Sequence, residues 1–233
     1  MNQILDVCES TQKLAHEALA VGNAHLGDWV CSLEQTAGRG RRGNQWISNR
    51  GNFFFSIILN EPTQSRLTWS AMMGALAVAR ALPELPIKLK WPNDLYLIGG
   101  KCGGVLAERA SGVIVLGIGI NLIDQPILKD RQTQSLNGIV SVEVLCTRVV
   151  KELEKLWSEF TSQEEKLFDA LVKDFNSRAL FSRGDAIHWI SGTKEFEGQM
   201  DRLGHFGELI VKLPTGISKS LYSEDVFGVR ASI

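Results

Sequence analysis

The chain has 233 residues, 44% hydrophobic and 22% charged, with a formal net charge of −1. That size and composition fit one large soluble globular domain with at most a small appendix, and a core large enough to need no disulfides. Near-neutrality argues against a protein that lives on nucleic acid, which carries a strong basic excess. The most apolar run, around 71–82, is broken by Arg80 and is too short to span a membrane.

Ser10 or Thr11 can cap a helix reaching Val21, with Leu14, Ala18 and Val21 on one face and Gly22-Asn23 as its stop. Residues 28–34 alternate apolar and polar and predict a strand. The run FFFSIIL at 53–59 predicts a buried strand. Glu61-Pro62 then opens a helix to Leu82, apolar nearly all round and therefore central. Strands follow at 87–91, where Pro92 ends the run, and at 95–98 and 101–108, joined by a Gly99-Gly100 hairpin turn. Ser111-Gly112 turns into a strand at 113–120. This is an antiparallel meander, not a series of βαβ units. Residues 124–138 read as a loop. Val142, Leu145, Val149, Leu153, Leu156 and Phe160 make a helical stripe, and a further helix covers about 163–175. Beyond Arg183-Gly184 short strands at 186–190, 196–203, 208–213 and 217–222 predict a small β-barrel. The expected division is 1–180 and 181–233.

The six residues GRGRRG at 38–43 hold the G-x-G-x-x-G spacing of a dinucleotide-binding unit. That spacing has its meaning only after a strand and before a helix. The strand at 28–34 satisfies the first condition. The second fails, because 44–52 carries no apolar helical stripe and so offers no helix N-terminus to a pyrophosphate. A Walker loop is absent. What remains is an anion cradle. Gly38, Gly40 and Gly43 are free to take φ > 0, so that backbone N–H groups converge as a nest. Arg39, Arg41 and Arg42 add planar, permanently charged donors that match carboxylate and phosphate alike. No histidine or cysteine cluster suggests a metal site. Cys8, Cys31, Cys102 and Cys146 are scattered and read as reduced thiols of a cytoplasmic protein. No signal peptide is visible at the N-terminus.

Five motifs occur in order: Ser10-Thr11-Gln12; Gln35 followed by T-A-G-R-G-R-R-G-x-x-W-x-S; K-W-P-N-D at 90–94; G-K-x-x-G-x-L-x-E at 100–108; and G-I-G-I-N at 117–121. Together they resemble the biotin protein ligase family over about 9–123, with a fainter echo in F-E-G-x-x-x-x-L-x-x-x-G-E-L-I-V at 196–211. The resemblance implies an α+β fold of the class II synthetase type: a mixed, mainly antiparallel sheet packed by helices, with the small C-terminal barrel. It implies ATP-dependent ligation of biotin to a lysine of a biotin carboxyl carrier protein through biotinyl-5′-AMP, with Mg²⁺ arriving on ATP.

By the same resemblance Ser10, Thr11, Gln12 and Gln35 belong to the ring end of biotin. Gln12 stands where the family usually has Asn, so its reach to the ligand is left open. Gly38, Arg39, Gly40 and Arg41 belong to the biotin carboxylate and phosphate, with Lys101 beside them. Arg39, Arg41 and Lys101 are then the catalytic set. Gly104 and Gly117 permit close approach of the ring. Arg41, Arg42, Trp46, Asn93 and Asn121 belong to ATP, and Trp46 also to the biotin side. Asp94 fits a metal-phosphate or a turn role. Asn44 stands where relatives often carry a basic residue. The alternatives are a lipoate or octanoate protein ligase and a biotin-binding regulator without ligase activity. DNA-binding relatives place a helix-turn-helix domain before the ligase domain. With the Ser-Thr motif at residue 10 the expectation is a ligase without that role, a monomer or homodimer bound to neither nucleic acid nor membrane.

Overall fold

In the computed structural model the described residues are 1–61, 67–162 and 164–231. The chain runs β1 (Gln3–Leu5), α1 (Thr11–Ala20), β2 (Trp29–Ser32), β3 (Phe53–Asn60), α2 (Leu67–Ala81), β4 (Lys88–Lys90), β5 (Asp94–Leu97), β6 (Gly100–Ala110) and β7 (Val113–Ile120). Then come α3 (Val142–Ser162), α4 (Glu164–Arg178), β8 (Ala186–Ser191), β9 (Lys194–Leu203), β10 (Leu209–Lys212), β11 (Ser218–Leu221) and β12 (Val226–Ala231). β1 to β7 form one sheet in the order β1-β2-β3-β7-β6-β5-β4, antiparallel except for the β1–β2 pair.

The apolar texture of α2 is explained by its place. Nearly every side chain is buried between the sheet and α3, and a Cβ at Gly74 would come 2.9 Å from Val105 Cγ1. The predicted start of this helix at 61–62 reaches outside the described residues. So does residue 163, the predicted start of the following helix. The α3 stripe is buried at Val142, Leu145, Val149, Leu153 and Leu156. Residues 124–138 form no strand or helix, but bridge back to β6 through Lys101 and Thr133.

Two strands were not expected. β1 is three residues long, half-exposed and without alternation, and β12 follows a turn that breaks the texture. The C-terminal strands make a five-stranded antiparallel sheet, β11-β10-β9-β8-β12. Where a barrel was expected, no ladder joins β11 to β12 among the described residues. This sheet shares the hydrophobic core of the rest through Ile187, Trp189, Leu209 and Val211. Indole N–H donors of Trp69 and Trp91 clasp the carbonyls of His205 and Gly207 (2.9 and 2.8 Å), and the hydroxyls of Thr68 and Ser223 meet at 2.6 Å. Among the described residues no helix is long and apolar enough to cross a membrane.

Strand alternation decides which face of the large sheet is filled. Phe53, Phe55, Ile57, Leu116, Ile118 and Val105 point to the α2 side. Their neighbours point to the α1 side, and α1 covers only part of it. Register then aligns Phe54, Gly119 and Gly104 in one row and Ser56, Gly117 and Leu106 in the next. Four small residues in two adjacent rows leave a hollow.

Candidate functional site

That hollow is the floor of a cleft of about 860 Å³. Its walls are the start of α1, the glycine-arginine loop, the β4–β5 turn, residues 126–133 and the start of β12.

One end is neutral and densely hydrogen-bonded. Ser10 caps α1, its hydroxyl accepting from Lys13 N–H. The Thr11 N–H and hydroxyl both donate to Gln35 Oε1 (2.8 and 3.2 Å), and Gln35 Nε2 donates to Ser48 Oγ (3.0 Å). Ser56 Oγ sits between Thr11 Oγ1 (2.9 Å) and Gln12 Oε1 (3.0 Å). Gln12 does reach the cleft.

The other end is basic. Arg39, Arg41, Arg42, Lys90, Lys101, Arg131 and Arg230 line the cleft, against Asp94 and Asp130. A chain of net charge −1 has thus gathered local positive charge, the pattern that concentrates anions. Lys101 Nζ lies 2.5 Å from Asp94 Oδ1 and 5.3 Å from the Trp46 ring. Burial holds the Lys90 ammonium below the usual lysine range, with Asp94 opposing the shift. Burial likewise lowers the Arg41 guanidinium and pushes the Tyr96 hydroxyl up to about 12. Asn93 donates to the Val105 carbonyl (2.8 Å) and accepts from Arg41 (3.0 Å). Asn121 donates toward the carbonyls of Lys101 and Gln134, while its Oδ1 is buried without a partner.

The loop departs from the expected nest. It is a hairpin, with Arg39 bridging Gln45, Gly40 N–H donating to the Asn44 carbonyl (2.8 Å) and Trp46 N–H to that of Gly38 (3.0 Å). Of the loop amides expected to form the nest, that of Gly40 is thus taken within the hairpin. Only Gly43 of the three glycines has φ > 0, at 75°; its partner in the left-handed region is Arg42, at 59°. Gly38 is instead a matter of space: a Cβ there would lie 2.3 Å from Ser48 Oγ. Gly38 is also the one predicted site residue that does not line the cleft; Ser10, Thr11, Gln12, Gln35, Arg39, Gly40, Arg41, Arg42, Trp46, Asn93, Lys101, Gly104, Gly117 and Asn121 all do.

The arginines at the hairpin tip reach the C-terminal sheet. Arg41 donates to the Ser223 carbonyl and Arg42 to that of Glu224, both at 2.5 Å, and Arg42 lies 5.0 Å above the Phe227 ring. Trp46 rests on the glycine row, where a Cβ at Gly119 would come 2.8 Å from its indole. Its Nε1 is buried without a partner.

The sequence reading missed Ser56, Tyr96, Arg131, Thr133, Phe227 and Arg230. Ser56 carried a signal, as the one polar residue in FFFSIIL. Phe227 and Arg230 carried none, because β12 itself was not expected.

Residues 4–123 match the Biotin/lipoate A/B protein ligase family, and the chain belongs to that family. Among its relatives, the bifunctional ligase/repressor BirA of Bacillus subtilis is 39% identical over 95% of this chain and 72% of its own. The biotin–[acetyl-CoA-carboxylase] ligase of Paracoccus denitrificans is 29% identical over 91% and 95%. The biotin protein ligase of Aquifex aeolicus, solved in complex with biotin and ATP, has a TM-score of 0.83 at 26% identity, covering 99% of this chain and 98% of that one.

Proposed function

We propose that this chain is a biotin protein ligase that activates biotin with MgATP and transfers it to a lysine of the biotin carboxyl carrier protein of acetyl-CoA carboxylase. One observation carries the reading: a single cleft joins a neutral hydrogen-bonding end to a strongly basic end. Biotin has that polarity, with a cyclic urea at one end and a carboxylate at the other.

In the first step a biotin carboxylate oxygen attacks the α-phosphorus. A carboxyl–phosphate bond forms, the bond to the β-phosphate oxygen breaks, and pyrophosphate leaves. Both reactants are anions and the nucleophile is already ionised, so the task is positioning and charge stabilisation without a general base. Arg39, Arg41 and Lys101 carry that task as the catalytic set. Ser10, Thr11, Gln12 and Gln35 hold the urea, and Gly104 and Gly117 admit the ring. Arg42, Trp46, Asn93 and Asn121 serve the nucleotide. Magnesium enters on the triphosphate as part of the substrate. In the second step the carrier lysine amine attacks the acyl carbon. An amide forms, AMP leaves, and the amine releases its proton. Residues 1–180 act as the catalytic domain and 181–233 as an appended unit that closes one wall.

The test is pyrophosphate release from MgATP with biotin, lipoate or octanoate supplied separately, followed by transfer to a carrier domain. Release with biotin alone, and a carrier heavier by one biotinyl group, is the expected outcome. Release with lipoate or octanoate instead would move the protein to the neighbouring activity. Biotin binding without release would make it a regulator.

A further inference from the structure

We propose that Glu108, braced by His16, is a positioning residue that fixes the amide of Gln12 so that its oxygen faces the cleft as an acceptor for a ring N–H of the ligand. The inference rests on the biotin reading above and deepens it, since neither Glu108 nor His16 lines the cleft.

Gln12 is 3% exposed, so the direction of its amide matters. Its Nε2 donates to Glu108 Oε2 (2.9 Å) and to the Val115 carbonyl (3.0 Å). A backbone carbonyl and a carboxylate oxygen both accept, so the NH₂ group is assigned to that side by chemistry. Both amide hydrogens are then used, and Oε1 is turned to Ser56 Oγ (3.0 Å) beside Gly117. A Cβ at Gly117 would fall 2.6 Å from this oxygen, so glycine there is what allows the amide to lie on the cleft floor. His16 follows Gln12 by one turn of α1, and its Nε2 meets the same Glu108 oxygen at 3.0 Å. One carboxylate oxygen thus ties two positions of α1 to β6.

The neighbouring amide is fixed in the opposite sense. Gln35 Oε1 already accepts two hydrogen bonds from Thr11, which leaves its Nε2, with one hydrogen on Ser48, as the group with spare capacity. The neutral end therefore offers an acceptor from Gln12 and a donor from Gln35. A cyclic urea supplies the matching N–H and C=O. A dithiolane ring or an alkyl chain supplies neither, and would leave a buried amide oxygen short of a partner. A site built to bond a ligand N–H discriminates strongly against analogues that lack it.

The experiment measures KM for biotin and for ATP, and kcat for pyrophosphate release, in Glu108→Ala, Glu108→Gln, Gln12→Met and the Gln12→Met/Glu108→Ala double variant. Loss of a charge-assisted hydrogen bond predicts a rise in biotin KM of roughly tenfold for Glu108→Ala, with ATP KM and kcat held within about twofold. Glu108→Gln is isosteric, keeps one acceptor oxygen and is expected to show a smaller rise. In the Gln12→Met background the Glu108→Ala change should have no further effect on biotin KM, because Glu108 acts through that amide. An unchanged biotin KM in both Glu108 variants overturns the proposal. So does an equal rise in the Gln12→Met background, or a rise shared equally by ATP, either of which would mark Glu108 as part of the general framework. A wild-type protein with no biotin-dependent release would remove the ligase reading and this inference with it.

Discussion

Replacing Lys101 by methionine keeps an unbranched side chain, one atom shorter, and removes one charge. The ammonium lies 2.5 Å from Asp94 Oδ1, and the two side chains are only 12% and 18% exposed. At about 5 Å and an effective dielectric of about 20, two unit charges interact by about 3 kcal/mol. That is on the order of 10² in rate. Removal of one stabilising donor from an active site commonly lowers kcat by about 10²–10³, which agrees. The substitution also strands the Asp94 carboxylate beside two anionic substrates, so the loss should fall at the upper end. Lys101→Met/Asp94→Asn relieves that repulsion and should recover roughly tenfold, about 1.4 kcal/mol. The assay is biotin-dependent exchange of labelled pyrophosphate into ATP, with circular dichroism to establish that each variant is folded. Near-normal exchange by Lys101→Met would refute the assignment of Lys101 to the developing charge. Equal activity of the single and double variants would refute the account of Asp94.

Arg41 joins Asn93 to the Ser223 carbonyl, tying the loop to the C-terminal sheet. Arg41→Ala should release biotinyl-adenylate to solvent roughly tenfold faster, the scale of one charge-assisted hydrogen bond; unchanged release in a rapid-filtration assay would count against this. Gly119→Ala places a Cβ 2.8 Å from the Trp46 indole and should destabilise the fold by about 1–3 kcal/mol while raising KM for ATP. A variant unaltered in both urea midpoint and KM would show that the indole does not depend on this contact. Burial pushes the Cys102 thiol up to about 12, and a hydrogen bond to Cys146 together with burial raises Cys31. The thiolate is the reactive form, so at pH 8 only about one Cys102 in 10⁴ is reactive, and that fraction rises about tenfold per pH unit. Iodoacetamide should therefore modify half-buried Cys8 first, though burial also raises its thiol. Mass spectrometry showing Cys102 labelled as fast in the native as in the unfolded chain would refute this.

Much of the site was legible because the family motifs sit at strand ends and helix starts, where short-range chemistry dictates residue type. Ser10 is an N-cap as well as a cleft residue, and Gly100, with φ of 156°, sits at the end of a hairpin that the Gly-Gly pair announces. The loop was read correctly as no Rossmann turn, since 44–52 makes no helix. Its interior differs from the expected conformation: glycine permits φ > 0 but does not require it, only Gly43 of the three takes it, and the hairpin uses the Gly40 N–H on the Asn44 carbonyl.

The sequence alone determined most of the elements, though not β1 or β12, and the chemical character of the cleft. The α3 stripe, the FFFSIIL run and the five motifs each express a preference that a few neighbouring residues decide. The tertiary structure decided the partnerships. Gln12 meets Glu108 across 96 positions, and Arg41 meets Ser223 across 182. Such pairs follow from sheet register and from the docking of the C-terminal sheet on Trp69 and Trp91. Periodicity tells a residue which face it occupies. Only the packed sheet determines which distant residue lies opposite it.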